Sequence, residues 1–165
     1  MMNKQQVYEF LRQKGVWFEV TEHKAVFSAA ESHEVPMPYP SADSINLFLR
    51  DDKRRNFYLI TTHAAKHIDL KQFRHTYGTR SLSFGSPDDL MERMGLLPGS
   101  VTPMGLLNDL EHKVQFYFDE YFLEEPGIFG LHPNENTATV WMKTQDLIDI
   151  LTEFGTPVHI VHFDW

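Results

Sequence analysis

Hydrophobic positions along this chain switch repeatedly between helical spacing and strand alternation. Val7, Phe10 and Leu11 fall on one helical face; Asn3 can cap that helix and Gly15 can end it. Val16 to Thr21 alternates as a strand. Ser28, with Glu31 three residues on, forms the capping-box pattern of a short helix. Prolines 36, 38 and 40 then mark a loop. INLFLR and NFYLITT, joined by DDKRR, predict a β-hairpin, with Ile45, Leu47 and Leu49 on one face and Phe48 on the other. Asn46 breaks this apolar pattern. Burying its carboxamide unpaired costs about 1–3 kcal/mol, so it either has a structural partner or serves a ligand.

The second half continues the alternation. Residues 69–77 predict a short helix or turn, and Arg80 to Phe84 a strand. SPDDLMERMG is a strong helix signal: Ser86 caps it, Pro87 opens it, Asp88 and Asp89 suit its positive end, and Gly95 stops it. LLPGSVTPMGLLND reads as a Gly/Pro-bounded loop leading into a strand, VQFYFDE. GIFGLHP and TATVWM predict strands around the turn PNEN. Thr144 is placed to cap a helix with Leu147, Ile148 and Leu151 on its apolar face, ending at Gly155, and VHIVHF predicts a final strand. No repeat, low-complexity run or linker interrupts residues 1–165. The expected class is mixed α/β, one domain with a largely antiparallel or mixed sheet.

Composition narrows the chemistry. The 165 residues are 42% hydrophobic and include 13 Phe, 6 Tyr and 3 Trp, enough for a core without staples. There is no cysteine, which excludes disulfides, thiolate nucleophiles and cysteine-ligated zinc. No stretch resembles a signal peptide or a membrane span, so the expected location is the cytoplasm, away from membranes. A net charge of −8 argues against a general DNA-binding protein. Yet residues 50–80 carry eight cations against three Asp, among them Arg50, Lys53, Arg54 and Arg55 in the hairpin. Such a stretch is either a solvated turn or a patch for a polyanion.

Most catalytic patterns are missing. His63 and His67 would share a metal only on a helix, and their segment comes straight off a strand, so no metal is expected. His159 and His162, three apart in a strand, point to opposite faces. Ser100 lies in GSVTP, which is not a nucleophile elbow. GSVTP itself, Gly99 to Pro103, can present backbone N–H groups to a carbonyl or phosphate oxygen, or be a plain connecting loop. His132, in LHPNENTATVWM, is either a satisfied turn histidine or a site residue.

Taken together, EHKAVFS (22–28), NLFLRDD (46–52), NFYLI with KHIDLK (56–71), GSVTPMGLLND (99–109) and HPNENTAT (132–139) resemble the YbaK/ProX family of aminoacyl-tRNA editing domains. Its free-standing members hydrolyse mischarged tRNA(Pro). The resemblance implies a barrel-like mixed sheet wrapped by helices. It also implies hydrolysis, in trans and without cofactor or metal, of the ester joining a wrong small amino acid such as alanine to the tRNA end. The implied partners are the acceptor end of mischarged tRNA and prolyl-tRNA synthetase. Asn46, Gly99 and His132 fall on the family's pocket positions. Ser100, Val101, Thr102 and Pro103 complete the loop whose backbone would hold the aminoacyl carbonyl or terminal ribose. Phe27, Ile45, Val101 and Met104 stand near these motifs as candidate walls, and Asn136 lies within the last of them. An activated ester needs only a positioned water and a stabilised oxyanion. Pocket size would select the amino acid.

One position departs from the family pattern. T-K-N-L-F-L is typical, and Ile45 stands here in place of the lysine. Three readings follow: a reshaped but active site, substitution by another cation with Lys24 the candidate, or binding of aminoacyl-tRNA ends or a synthetase without hydrolysis.

Overall fold

A computed structural model of the chain describes residues 2–24, 38–39, 42, 44–63 and 66–163. The sequence places its elements through local caps. Helix α1 (Lys4–Lys14) starts at Asn3, whose side chain accepts from the Gln6 amide, and ends at Gly15 in the left-handed region at φ 69°. Val7 and Leu11 on its inner face are fully buried. Strand β1 (Phe18–Glu22) follows, then the hairpin of β2 (Ser44–Asp51) and β3 (Phe57–His63). Helix α2 (Leu70–Tyr77) is capped by Asp69, and β4 (Leu82–Phe84) leads to α3 (Pro87–Met94), where Ser86 and Asp89 form a capping box. A 3-10 helix (Pro103–Asn108) and β5 (Val114–Asp119) come next, then a second 3-10 turn (Glu120–Leu123) and strands β6 (Ile128–Leu131) and β7 (Ala138–Lys143). Helix α4 (Thr144–Phe154) and β8 (Val158–Val161) close the chain.

Two sheets result. One has the order β4-β2-β3-β5-β8; its first three strands are antiparallel and β3, β5 and β8 run parallel. The other is β1-β7-β6, antiparallel throughout. The mixed α/β class stands. Among the described residues neither sheet closes on itself, so barrel-like describes how they face each other and not a continuous ring. Phe48, Leu59, Phe116 and Phe118 of the larger sheet pack with Phe129, Val140 and Met142 of the smaller one, and α1, α3 and α4 add Leu11, Leu90 and Leu147 to the same core. Each such side chain contributes about 1.5–3 kcal/mol through burial. The other face of the larger sheet carries Leu49, Tyr58, Ile60 and Tyr117 against Phe73 of α2. The hairpin alternation is therefore as the sequence predicts, with Phe48 facing away from Leu47 and Leu49.

Two local expectations differ. Thr144 is not the cap of its helix: it is the first helical residue, and its buried hydroxyl donates to the Phe122 carbonyl at 2.6 Å, leaving Lys143 at the cap position. The stretch after GSVTP is not a loop running into a strand but a 3-10 helix, because the Thr102 side chain accepts from the Met104 amide and Pro103 fits the first turn. His63 closes β3 and packs its ring on Tyr121 at 4.3 Å, so it shares no helix with His67. The helix expected from Ser28 lies outside the described residues.

Candidate functional site

Asn46 sits near the start of β2, opposite Thr61 of β3. Its Oδ1 accepts the Thr61 hydroxyl at 2.6 Å, so this polar pair satisfies itself within the apolar hairpin. The bond fixes the carboxamide orientation and leaves the Nδ2 end as its donor. On the same strand face, Ser44 donates to the Gly130 carbonyl of β6 at 3.1 Å. Asn46 thus belongs to the face turned toward the smaller sheet, near the strand that ends just before His132. The side chain of Ile45, paired with Thr62, lies on the opposite face. The register therefore does not bring Ile45 together with Asn46.

The GSVTP loop meets the HPNENTAT turn directly. The Thr102 hydroxyl, fully buried, donates to the His132 carbonyl at 2.7 Å. Gly99 has φ 90°, a conformation that suits glycine and turns the backbone sharply before the loop. The Ser100 amide is committed to the Leu97 carbonyl at 3.0 Å. Met104 and Pro103 are buried; Met104 lies within the main core and Val101 packs against it half-exposed. His132 is half-buried, with Nδ1 3.2 Å from the Ala138 carbonyl. If Nδ1 carries the proton it donates there, which makes Nε2 the basic nitrogen. Asn136 is buried in the same turn.

His23 was not among the sequence candidates, and the structure draws it into this turn. Its amide donates to the Thr137 carbonyl at 2.9 Å, and its Nε2 lies 3.0 Å from the Thr139 hydroxyl. The neighbouring Lys24 is exposed, and its carbonyl lies 2.7 Å from His23 Nδ1. The signal was available in the E-H pair opening EHKAVFS. Phe27 lies outside the described residues. Among the described residues no group of three or more His, Asp or Glu side chains is arranged to hold a metal.

The basic hairpin turn is not uniform. Arg50 is held to Asp89 at 3.6 Å and to the Asp51 carbonyl at 3.0 Å, and Arg80 makes a two-pronged bond to Asp52 at 2.6 and 2.9 Å. Lys53, Arg54 and Arg55 are exposed on the turn. Beneath them Asp51 is fully buried; burial raises its pKa, but bonds from the Asn56 side chain and the Arg55 amide outweigh this and hold it below the usual carboxylate value. The turn lies at the far end of the hairpin from Asn46, five residues or about 17 Å along β2.

Comparison with known proteins decides the family. The family model for the aminoacyl-tRNA editing domain matches residues 23–150, which span Asn46, the GSVTP loop and the HPNENTAT turn. The chain belongs to the aminoacyl-tRNA editing domain family. Among its editing-domain relatives is the prolyl-tRNA editing protein ProX of Acetoanaerobium sticklandii, 34% identical with 92% of each chain covered. Another is the prolyl-tRNA synthetase associated domain-containing protein 1 of Xenopus laevis, 29% identical, covering 98% of this chain and 97% of the other. A solved structure described as a candidate trans-editing enzyme for prolyl tRNA synthetase superposes with a TM-score of 0.71 at 20% identity, covering 99% of each chain, which supports the same fold. Membership in the editing-domain family accounts for the co-occurrence of the motifs. No helix among the described residues is long and apolar enough to cross a membrane.

Proposed function

We propose that this protein is a free-standing, single-domain deacylase that removes a small, wrongly attached amino acid, alanine foremost, from tRNA(Pro). The observation that carries the reading is the bond from Thr102 to the His132 carbonyl, which holds the GSVTP loop against the HPNENTAT turn just past β6, the strand whose Gly130 carbonyl accepts from Ser44 on the strand face that Asn46 shares. Family membership and the similarity to ProX support the same activity.

The chemistry needs no covalent intermediate. Water attacks the ester carbonyl, the C–O bond to the terminal ribose breaks, and the ribose hydroxyl takes a proton as the amino acid leaves. The amides of Val101 and Thr102 are suited to hold the oxyanion, since Gly99 turns the loop outward and the Ser100 amide is committed elsewhere. Asn46 Nδ2 donates to the substrate, oriented by Thr61. His132, anchored at Ala138, places a water through Nε2. Each contribution is modest, which is sufficient for an ester already activated. The exposed cations Lys53, Arg54 and Arg55 would meet the tRNA backbone, and prolyl-tRNA synthetase would supply the mischarged substrate. Such work belongs in the cytoplasm.

Ile45 favours a second reading. With no cation at the family position, the protein would bind aminoacyl-tRNA ends or a synthetase without turnover. Deacylation assays with Ala-tRNA(Pro), alongside Ser- and Cys-charged tRNAs, separate the two. Release of amino acid well above the spontaneous rate supports the hydrolase; spontaneous rates with every substrate leave only the binding role.

A further inference from the structure

The first residues of the chain bond to two parts of the candidate site at once, the 3-10 helix after GSVTP and the HPNENTAT turn. The Met2 amide donates to Asn108 Oδ1 at 3.2 Å, at the end of the 3-10 helix that the GSVTP loop opens. The Met2 carbonyl accepts from Asn134 Nδ2 at 2.9 Å, in the HPNENTAT turn. Lys4 Nζ donates to the Thr137 hydroxyl at 3.1 Å and pairs with Glu22 Oε2 at 3.0 Å. The other Glu22 oxygen accepts the Tyr8 hydroxyl at 3.1 Å, so the carboxylate is held from two sides. Lys4 is only one-fifth exposed, and it grows from a helix pinned by buried Val7 and Leu11. It is a fixed cation, not a roaming surface lysine.

All three bonds tie residues 2–4, which lie before the span 23–150 matched by the family model, to loops within that span. They also act on the same two loops that Thr102 joins to His132. Ties set apart from the Thr102–His132 bond add to it in fixing the relative tilt of the two loops. Asn134 has a left-handed backbone at φ 65°, a conformation asparagine tolerates, and its bond to Met2 anchors the turn in that shape. Thr137 opens the stretch whose Ala138 carbonyl holds the His132 ring.

We infer that the segment Met2–Lys4 is an intramolecular clamp that sets the spacing of the two site loops, with Lys4 a positioning residue for the deacylation reaction. The inference rests on the deacylase reading for its catalytic part. Lys4 does not touch the ester; it acts through Thr137 and the turn. A displacement of about 1 Å in either loop is costly to a reaction that depends on placement alone.

The test compares the full chain with Lys4→Met, which keeps the aliphatic stem and removes the ammonium, and with Lys4→Arg, which keeps a cation able to bridge Glu22 and Thr137. Lys14→Met, at the far end of the same helix, is the control. Lys4→Met is expected to lower kcat on Ala-tRNA(Pro) about tenfold with KM for tRNA unchanged. Lys4→Arg recovers most of the loss, and the control has wild-type kcat. Amide hydrogen exchange supplies a readout independent of turnover: in Lys4→Met, residues 103–109 and 130–139 exchange faster while the β2–β3 hairpin does not. Unchanged exchange in those two loops overturns the clamp, whatever the activity. Faster exchange with unchanged kcat overturns the positioning role. If the wild-type chain deacylates no mischarged tRNA, the deacylase reading falls, and exchange alone decides the clamp.

Discussion

The hydroxyl of Thr102 and the carbonyl of His132, 2.7 Å apart and separated by thirty residues in sequence, join the two loops of the candidate site. Removing that donor is the most direct way to probe their coupling. Thr102→Val keeps the shape but leaves the His132 carbonyl without its partner, at a stability cost of about 1–3 kcal/mol. We expect kcat to drop about tenfold, and Thr102→Ser to retain most of the activity. Steady-state deacylation with parallel urea denaturation checks both; a kcat equal to wild type would show that the tie serves folding alone.

Asn46 has one partner in Thr61 and, in the proposed mechanism, one in the substrate. Asn46→Ala should lower kcat/KM by ten- to a hundredfold, at a stability change of no more than about 1–2 kcal/mol. Thr61→Val should show a smaller loss, because the carboxamide is still present but no longer fixed. A larger loss for Thr61→Val than for Asn46→Ala would reverse the assignment of roles.

The hairpin cations divide into two groups with opposite expectations. Arg54→Glu with Arg55→Glu should raise KM for tRNA and flatten its dependence on salt, without loss of Tm. Arg50→Ala should lower Tm instead, because Arg50 is packed against Asp89 and the Asp51 carbonyl. Salt titrations of KM together with thermal melts distinguish them. Unchanged KM at low salt in the charge-reversed protein would remove the turn from the tRNA contact.

Acid should destabilise the protein through its depressed carboxylates, Glu22 and Asp51 among them. The bond from Lys4 holds Glu22 below its ordinary pKa, and Asp51 is also depressed because its bonds from Asn56 and Arg55 outweigh burial. A depressed folded-state value means that the unfolded chain binds protons first as pH falls. Their stabilisation is complete above about pH 4–5, where both carboxylates are ionised even when unfolded, and it is lost as pH falls through the folded values. Tm followed from pH 6 to pH 3 should fall, and the fall should be shallower in Asp51→Asn. Identical slopes in the two proteins would exclude Asp51 as a contributor.

The legible parts of this fold are those with local causes. Asn3 with Gly15 and Ser86 with Gly95 bound their helices because caps act within a few residues, and DDKRR marks its hairpin for the same reason. Thr144 was misleading, since a hydroxyl can serve a distant carbonyl as readily as its own helix, and only the fold brings Phe122 within reach. The candidate site was legible as a set of motifs but not as an arrangement. Nothing local to Ile45 reveals that strand register puts it across the sheet from Asn46, and nothing in Lys4 announces that it reaches Thr137. Spacing within a segment carries local geometry; contacts between segments more than a hundred residues apart depend on how the sheets stack.

The hairpin of β2 and β3 holds its polar pair at one end and its free cations at the other, about 17 Å apart. In the proposed function that interval would make the hairpin a length gauge. A ligand that meets both ends must be rigid and polyanionic over that span and carry its ester at the tip. In the proposed reaction a free aminoacyl nucleoside would reach the polar end alone, and only a tRNA would span both.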